Sequence, residues 1–583
     1  MKVLLTTLNA KYVQSSLALR YLEKYCKNQQ YEIVIEEYTI NDYPDMITAD
    51  IYKTGADVIA FSCYIWNITM TLEIADRLKK VCPDRIIIVG GPEVSYDALE
   101  TLKKYHYIDY VVMGEGEETL NELLRYLHDG QQALENIQGI AYRSENGDIM
   151  VNRHRPLICN LDNIPRPYNQ KDLSALSGKI IYYETSRGCP FNCSYCLSST
   201  ILGVRFFSLK RVKADLLFFI ENNVKQIKFV DRTFNFNKDR TMELLAFLVA
   251  NRKNTSFHFE IAADLLDDKM IEFLAGVPKG LFQFEIGVQS TNLNTISAIQ
   301  RKTNFERLAA NVKQLRKADN IHLHLDLIAG LPYEDYQSFQ QSFDDVFGLS
   351  PHVLQLGFLK LLKGSKIREE AKQHGYKYAT LPPYEILENN KISYCEILRL
   401  KGIEDIMEKY YNSGAFQKSL TYILANDYQS PFIFFEDLSK YFEAEGLNKL
   451  SHSRKALYDI FFEFYIQKIK KEVDIFREYL KFDLLYHQKG VQLPYWAKKD
   501  EIPHFKERCF EFLKDEGNIQ KFLPHYTGIP AKKIIKQVNF YIFDFDVLDS
   551  SLKCNVDKNQ TVILHDYQRL KVFNVTEEFN RTL

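Results

Sequence analysis

Cys189-Pro-Phe-Asn-Cys193-Ser-Tyr-Cys196 holds three of the ten cysteines of this 583-residue chain. The stretch directly follows an apolar run, Ile180–Thr185, which we predict to be a strand. Thiolates are soft ligands that suit iron–sulfur clusters and zinc. Such sites ordinarily use four protein ligands, whereas this loop supplies three and has no fourth Cys or His close in sequence. The C-x3-C-x2-C spacing predicts a metal site with one position open to a small molecule; a zinc site completed by a distant ligand is the alternative.

Short apolar runs alternate with helical patterns on both sides of this loop. The predicted strands are Ile180–Thr185, Gln226–Val230, Phe257–Ala262, Leu281–Val288, His322–Ile328 and Val353–Leu359. Strands separated by helices form parallel sheets, and the chemistry of α/β barrels lies at the carboxyl ends of their strands. We therefore predict a partial or complete (β/α) barrel over residues 179–385.

The first 135 residues show the same alternation and predict a separate doubly wound α/β domain. Its predicted strands are Val3–Thr7, Glu32–Tyr38, Val58–Ser62, Arg85–Val89 and Tyr110–Met113. Ligands of such sheets bind beyond the carboxyl ends of the strands. A nicotinamide fingerprint, G-x-G-x-x-G, does not follow the first strand, so a dehydrogenase is not expected.

Two further regions complete the predicted organisation. Residues 136–178 are predicted to be a linker that contains a hairpin, with its turn at Glu145-Asn-Gly-Asp148. Residues 386–583 are predicted to be a mostly helical domain, with possible strands at Asn539–Asp544 and Gln560–Leu564. Asp483 and His487 lie four residues apart, which allows a carboxylate–imidazole pair on one helix face; a surface pair or a helix N-terminal cap is the favoured alternative.

Charge and hydropathy exclude several classes of protein. Lys and Arg number 74 and Asp and Glu 76, so the net charge of −2 does not favour bulk binding of nucleic acid. The chain has no apolar run of about 18 residues, and we expect no membrane contact. The beginning of the chain is interpreted as a first strand rather than a signal peptide, which implies a cytoplasmic location with reduced cysteines.

The cysteine loop, entered by Thr185-Ser-Arg-Gly188, resembles the signature of the radical S-adenosylmethionine (SAM) enzymes. The resemblance implies a [4Fe–4S] cluster held by Cys189, Cys193 and Cys196, with its open iron bound to SAM. It also implies reductive cleavage of SAM to methionine and a 5′-deoxyadenosyl radical. The electron would come from a low-potential donor such as flavodoxin or ferredoxin.

Segments at four of the other predicted strand ends resemble the SAM-binding parts of the same barrel. The candidate residues are Asp231, Asn235, Glu260, Gln289, Ser290 and Gly330. Gly330 would allow the backbone to approach adenine closely. The segment Phe229–Asn235 departs from the better-known form, which has two glycines and a Glu. The alternatives are that Asp231 and Asn235 cap the next helix, that Glu260 is a solvated carboxylate, and that Gly330 belongs to an ordinary turn.

The strand-end loops of the first domain resemble the cobalamin-binding domain fused to one branch of this family. The candidate residues are Ser62, Gly90, Gly91, Glu93 and Gly114. The resemblance implies that cobalamin binds to this domain. The motif D-x-H-x-x-G, whose His is the lower cobalt ligand in other cobalamin domains, is absent, and the lower ligand of the cobalt stays open. The domain could instead be a degenerate scaffold. Glu115 and Glu117 are expected to begin a helix.

The region beyond residue 385 resembles a domain of unknown function found in the same branch. Together these resemblances imply a cobalamin-dependent radical SAM enzyme that activates an unreactive carbon of an unidentified substrate, with methyl transfer as the main expectation. Radical rearrangement or ring formation is one alternative. A methylthiotransferase would need a second cluster, for which Cys26, Cys63 and Cys82 are the available cysteines. A non-catalytic cobalamin or redox sensor is the third alternative.

Overall fold

The computed structural model describes residues 1–27, 30–130, 133–144, 146–201, 203–497, 502–549 and 559–582. These residues form two compact units, Met1–Ile397 and Leu398–Leu583. The first unit contains the cysteine loop and both predicted parallel sheets. The predicted turn residue Glu145 lies outside the described residues.

Seven strands form the first sheet, in the order β2-β1-β3-β4-β5-β6-β7. They are β1 (Lys2–Asn9), β2 (Glu32–Thr39), β3 (Val58–Ser62), β4 (Ile86–Gly90), β5 (Tyr110–Val112), β6 (Ile140–Arg143) and β7 (Ile149–Val151). The first five run parallel, which confirms the predicted doubly wound fold. The order reverses between β1 and β3, so ligands are expected at the carboxyl ends of these strands.

Helices cover both faces of this sheet. They are α1 (Leu17–Cys26), α2 (Pro44–Lys53), α3 (Ile68–Val81), α4 (Pro92–Ser95), α5 (Ala98–Lys104) and α6 (Gly116–Asp129). Successive side chains of a strand point to opposite faces. Val3 and Leu5 accordingly pack in the core beneath α1 and α6, and Leu4 and Leu8 pack in the core beneath α2 and α3. The strand β1 therefore buries apolar side chains on both of its faces.

The hairpin predicted within residues 136–178 is present as β6–β7, and it belongs to the first sheet. Val111 of β5 pairs with Ala141 of β6 in antiparallel register. The pairing satisfies backbone groups that an edge strand would leave without partners. The chain after Val151 connects the two sheets and contains a 3-10 helix, Leu161–Asn163, and a short α-helix, α7 (Gln170–Ala175).

The second sheet contains six parallel strands in the order β15-β14-β13-β12-β11-β8. The strands from this part of the chain are β8 (Ile181–Tyr183), β9 (Ser186–Cys189), β10 (Gly203–Phe206), β11 (Gln226–Phe229), β12 (Ser256–Ile261), β13 (Phe282–Gln289), β14 (His322–Ala329) and β15 (Val353–Phe358). β9 and β10 form a separate antiparallel ribbon. In the described residues β8 and β15 are edges, so the barrel is partial.

The barrel is surrounded by helices on its outer side. They are α8 (Leu209–Glu221), α9 (Lys238–Asn251), α10 (Asp268–Ala275), α11 (Leu293–Ala298), α12 (Phe305–Ala318) and α13 (Tyr336–Phe347). The helix α14 (Lys366–Glu369) and the strands β16 (Lys377–Tyr378) and β17 (Ile386–Glu388) follow. Outward residues of β13, such as Phe282 and Phe284, are buried, whereas the alternate residues are only partly buried. The inner face of the barrel therefore remains partly accessible.

The second unit is mostly helical, as predicted. Its helices are α15 (Tyr394–Met407, which begins in the first unit), α16 (Gln417–Asn426), α17 (Pro431–Ala444), α18 (Arg454–Phe464), α19 (Val473–His487), α20 (Phe505–Phe512), α21 (Glu516–Phe522), α22 (Ala531–Ile534) and α23 (Thr576–Asn580). A three-stranded antiparallel sheet contains β18 (Val538–Phe543), β19 (Thr561–Asp566) and β20 (Lys571–Asn574). The two predicted strands of the tail are therefore present.

Asp483 caps a neighbouring helix instead of pairing with His487. Its carboxylate accepts hydrogen bonds from the backbone N–H groups of Lys418 and Ser419, at 3.0 and 2.8 Å, and from the Ser419 hydroxyl at 2.6 Å. Burial raises the pKa of Asp483 to about 7, against the effect of these hydrogen bonds. Asp483 thus supplies hydrogen-bond acceptors for backbone N–H groups at the N-terminus of α16, which have no partner within the helix.

Replacing Asp483 with Ala should lower the free energy of unfolding of the second unit by about 1–3 kcal/mol, because two N–H groups and a hydroxyl lose a buried acceptor. The chain has two tryptophans. In a Trp66→Phe background, the buried Trp496 reports on this unit alone. Urea unfolding of the full chain, followed by Trp496 fluorescence, measures the change.

The matched control is Asp405→Ala, which removes the partner of Lys409 from a partly exposed ion pair in the same unit. Exposed pairs contribute about 0–1 kcal/mol, so this variant should unfold almost like the parent. Equal losses in the two variants would contradict the capping role of Asp483.

Candidate active site

The ribbon β9–β10 carries the cysteine loop. Cys189 is the last residue of β9 and lies opposite Gly203 of β10. Gly188 has φ of +98°, and a Cβ at this position would lie 2.1 Å from the carbonyl oxygen of Gly203. Only glycine allows the two strands to approach this closely. The ribbon therefore requires glycine at position 188, directly before the first cysteine.

Backbone hydrogen bonds hold the loop beyond the ribbon. The Ser194 N–H donates to the carbonyl of Ile299 at 2.9 Å, and the Ile367 N–H donates to the carbonyl of Ser194 at 3.0 Å. The Cys196 N–H donates to the carbonyl of Cys193 at 3.0 Å. The loop is thus fixed between segments that follow α11 and β15.

Arg301 lies beside Cys193 and was missed in the sequence analysis. Its Nη1 atom lies 3.8 Å from the Cys193 sulfur and 3.4 Å from the Tyr195 hydroxyl, and Nη2 donates to the carbonyl of Gly287. Burial raises the pKa of the Cys193 thiol, whereas Arg301 opposes this rise. A guanidinium at this distance favours the thiolate, the form that binds metal.

Cys189, Cys193 and Cys196 share one loop and are the residues that would hold an iron–sulfur cluster. Three thiolates are a soft donor set that suits such a cluster. In a zinc site all thiolates converge on the same ion at about 2.3 Å, whereas a four-iron cluster binds each thiolate at a different iron. Among the described residues, no group of three or more His, Cys, Asp or Glu side chains is arranged to hold one metal ion.

Asp231 connects the end of β11 to the beginning of the cysteine ribbon. Its carboxylate accepts hydrogen bonds from the Thr185 N–H at 2.9 Å, the Thr185 hydroxyl at 2.7 Å and the Ser186 hydroxyl at 2.6 Å. The side chain is buried, and burial raises its pKa. Asp231 therefore holds in place the backbone that leads to Cys189.

Asn235 connects the same loop to the next strand. Its amide donates to the carbonyl of Ala262 at 2.8 Å and accepts from the Ala262 N–H at 2.9 Å. The helix α9 is capped by Asn237, whose side chain accepts from the Arg240 N–H. The alternative that Asp231 and Asn235 cap this helix is therefore wrong.

The inner face of the barrel carries a group of ionisable side chains, of which the sequence analysis singled out only Glu260 as a candidate. The group comprises Lys228 on β11, His258 and Glu260 on β12, Glu285 on β13, and His324 and Asp326 on β14. Lys228 and His258 each lie 2.9 Å from Glu285, and His324 lies 3.0 Å from Asp326. The strict alternation of these residues with Phe, Leu and Ile could have identified a polar face, because buried parallel strands are usually apolar on both faces.

Glu260 and Glu285 are neighbours in register but differ in acidity. Burial raises the pKa of Glu260 to about 7, and Arg232 lowers it in part. Burial also acts on Glu285, but hydrogen bonds from His258 and Lys228 outweigh it and lower the pKa to about 2. Glu285 is therefore ionised at neutral pH, and Glu260 can hold or release a proton.

Gln289 and Ser290 have different surroundings at the end of β13. Gln289 has φ of +74°, and its Oε1 atom is buried without a hydrogen-bond partner among the described residues. An acceptor in this state suits a hydroxyl or amino group of a ligand such as SAM. Ser290 is fully buried and donates to Glu334 at 2.5 Å, so its hydroxyl is already committed within the protein.

Glycine at position 330 allows a close contact within the chain, whereas we expected it to allow the backbone to approach adenine. It has φ of +86°, and a Cβ there would lie 2.7 Å from Cδ1 of Ile386. Its carbonyl accepts hydrogen bonds from the Tyr376 hydroxyl at 3.0 Å and the Asn389 amide at 3.1 Å. The close approach is therefore made by the segment around β17.

The candidate cobalamin-binding residues lie at the carboxyl ends of β3, β4 and β5, but several are occupied by internal contacts. A Cβ at Gly91 would lie 2.5 Å from the carbonyl oxygen of Cys63, so this glycine packs the loop against β3. Ser62 is buried, and its carbonyl accepts from Thr7 and Asn67. Glu93 is also buried. Gly90 ends β4, and Gly114, at φ of +73°, has open space where a Cβ would lie.

Aromatic side chains at this edge form a surface suited to a large flat ligand. The rings of Tyr64 and Trp66 are stacked with centroids 4.5 Å apart, and the Trp66 Nε1 donates to the carbonyl of Leu8 at 3.1 Å. Trp66 is 45% exposed and Tyr12 is 76% exposed. Apolar rings with a few polar groups are typical of ligand sites, and the edge fits a corrin.

Glu115 and Glu117 lie at the start of α6, as expected, and also bind the cysteine ribbon. Arg187 of β9 lies 3.2 Å from Glu115 and 2.5 Å from Glu117. Arg205, opposite Arg187 in the ribbon, lies 2.7 Å from Glu115. The first sheet and the cysteine loop are thereby joined within one unit.

Three family matches divide the chain in the same order as the structure. Residues 3–124 match the B12 binding domain, residues 183–346 match the radical SAM superfamily, and residues 372–565 match the protein family of unknown function DUF4080. The predicted domain boundaries at 135, 178 and 385 remain predictions.

Methyltransferases are among the proteins that this chain resembles in sequence. The 2-(S-pantetheinyl)-carbapenam-3-carboxylate methyltransferase of Streptantibioticus cattleyicolor is 25% identical over 67% of this chain and 62% of its own. The cobalamin-dependent radical SAM methyltransferase TokK of Streptomyces tokunonensis is 25% identical over 56% of this chain and 50% of its own. The alignments thus span between half and two thirds of the length of these relatives.

A solved structure shares the fold. The cobalamin-dependent S-adenosylmethionine radical enzyme OxsB, with aqua-cobalamin bound, matches with a TM-score of 0.58 and 15% identity over 85% of this chain and 82% of its own. Within the described residues, no helix is long and apolar enough to cross a membrane. The chain thus combines a B12 binding domain, a radical SAM domain and a C-terminal domain of unknown function, in this order.

Proposed function

We propose that this protein is a cobalamin-dependent radical SAM methyltransferase that acts on an unreactive carbon. The observation that carries the proposal is the union, in one compact unit, of the three-cysteine loop and the aromatic edge of the B12-type sheet. When bound, the cluster supplies one electron for cleavage of SAM, and cobalamin carries a methyl group from a second SAM to the substrate. A donor such as flavodoxin or ferredoxin supplies the electron in the cytoplasm.

The residues of this chain have separable tasks in the proposal. Cys189, Cys193 and Cys196 hold the cluster, and Arg301 stabilises the thiolate of the buried Cys193. The free Oε1 of Gln289 accepts a hydrogen bond from SAM. The polar, partly accessible inner face receives SAM and the reacting part of the substrate.

Three alternatives remain distinguishable from methyl transfer. A methylthiotransferase needs three cysteines for a second cluster, but Cys26 ends α1, Cys63 follows β3 and Cys82 follows α3. Cys26 and Cys63 are buried, and burial raises the pKa of Cys63 to about 12. Radical rearrangement or ring formation would consume SAM without methyl transfer. A sensor would bind cobalamin without cleaving SAM.

The first test is analysis of the nucleoside products by mass spectrometry. The full chain is reconstituted without oxygen with iron, sulfide and cobalamin, and then receives a strong reductant and SAM. We expect 5′-deoxyadenosine from cleavage and cobalamin-dependent S-adenosylhomocysteine from methyl transfer. The first product alone would favour rearrangement or ring formation, and neither product with a full cluster would favour the sensor.

Replacing Cys193 with Ala should reduce 5′-deoxyadenosine to the level without enzyme, because the cluster loses one of its three thiolates. Cys159→Ala is the matched control, since Cys159 is exposed and lies outside the loop. Formation of 5′-deoxyadenosine by the Cys193 variant would contradict the ligand assignment.

Replacing Arg301 with Gln should reduce bound iron and 5′-deoxyadenosine by about tenfold or more, because a hydrogen bond to a charged group contributes about 1.5–3 kcal/mol. Iron analysis after reconstitution at limiting iron measures the first effect. Arg316→Gln removes an arginine on α12 that contacts His352 instead of a cysteine, and should leave iron binding intact. Equal iron content in both variants would count against a role for Arg301.

A further inference from the structure

The loop after β4 of the first sheet contacts the segment after β15 of the barrel. The Tyr384 hydroxyl donates to the carboxylate of Glu93, which is only 5% exposed. The Lys363 Nζ atom lies 3.5 Å from the same carboxylate and donates to the Glu93 carbonyl at 3.3 Å. Lys363 also lies 3.4 Å from Asp97. The carboxylate of Glu93, a candidate for cobalamin binding, is thus occupied by two barrel residues.

A second contact lies directly beside the first. A Cβ at Gly364 would lie 2.2 Å from the Tyr96 ring, so the barrel backbone touches this ring. The Tyr96 hydroxyl lies 2.8 Å from that of Thr200, four residues after Cys196. We call Glu93, Tyr96, Lys363, Gly364 and Tyr384 the Glu93 junction.

The barrel side of the junction is rigidly built. The Leu361 N–H donates to the carbonyl of Tyr384 at 3.0 Å, and the Ile386 N–H donates to the carbonyl of Leu359 at 2.9 Å. Tyr384 has φ of +56°, a conformation that non-glycine residues rarely adopt and that persists only where the surroundings impose it. The Arg368 guanidinium lies 4.7 Å from the centre of the Tyr384 ring. These contacts fix the direction of the hydroxyl that reaches Glu93.

We propose that the Glu93 junction sets the position of the cobalamin-binding edge relative to the mouth of the barrel, with Tyr384 and Lys363 as positioning residues for methyl transfer from SAM to cobalt. The inference rests on the proposed function. In that transfer the electron pair of cobalt(I) forms the bond to the methyl carbon, and the carbon–sulfur bond breaks with its pair on sulfur, leaving S-adenosylhomocysteine. This step needs both sheets, whereas reductive cleavage of SAM needs the cysteine loop and the barrel.

The two SAM-derived products therefore test the junction. In Tyr384→Phe and in Lys363→Met, we expect S-adenosylhomocysteine to fall about 10- to 100-fold, because small errors in the placement of reacting groups have effects of this size. We expect 5′-deoxyadenosine to stay within about twofold of the parent, since no cluster or SAM contact is changed. The ratio of the two products, measured in the same reaction, corrects for differences in cluster loading.

Tyr168→Phe is the matched control, because Tyr168 is a buried tyrosine of the same unit whose hydroxyl donates to the carbonyl of Tyr182 at 2.9 Å. Its product ratio should equal that of the parent. Unchanged ratios in both junction variants would overturn the inference, as would an equal fall in both products or an equal change in the control.

A measurement without any cofactor gives an independent readout. Hydrogen–deuterium exchange of the apo chain should be faster at residues 90–104 and 359–388 in both junction variants, and unchanged there in Tyr168→Phe. No change in exchange would overturn the positioning role. If the parent forms neither SAM-derived product while the exchange result holds, the proposed function fails and the junction stands as a structural contact only.

Discussion

The guanidinium of Arg187 joins the two halves of the first unit. It lies in the ribbon that leads to Cys189 and contacts Glu117 and Glu115 at the start of α6, as well as Glu184 at 2.8 Å. Removing one partner of such a buried network lowers the free energy of unfolding by about 3–5 kcal/mol, because the remaining charge stays buried. The position of the cysteine loop relative to the first sheet therefore depends on charges that neither element could bury alone.

The strands of both sheets could be predicted from sequence, because each is a short apolar run between helical patterns. The cysteine loop could also be predicted, since its three ligands are adjacent in the chain. Arg301 could not, because it is 108 residues from the cysteine it contacts. Tyr384 is 291 residues from Glu93 and carries no motif. Such contacts arise only when segments far apart in the chain meet in the fold.

Glycines show a related limit of the sequence analysis. Gly91 and Gly330 were expected to admit a ligand, and both do allow a close approach, but the approaching groups are Cys63 and Ile386 of the same chain. A glycine in a loop indicates that something comes near the backbone. The identity of the approaching group depends on tertiary packing, which local pattern does not contain.

The hairpin β6–β7 determines where the first domain can be separated from the rest of the chain. A fragment that ended at the predicted boundary of residue 135 would leave the hydrogen-bonding edge of β5 without its partner, and exposed edges promote pairing between molecules. A fragment that extends beyond Val151 keeps this edge covered by the protein's own hairpin. The smallest portion suited to isolated study of corrin binding is therefore longer than the family match over residues 3–124.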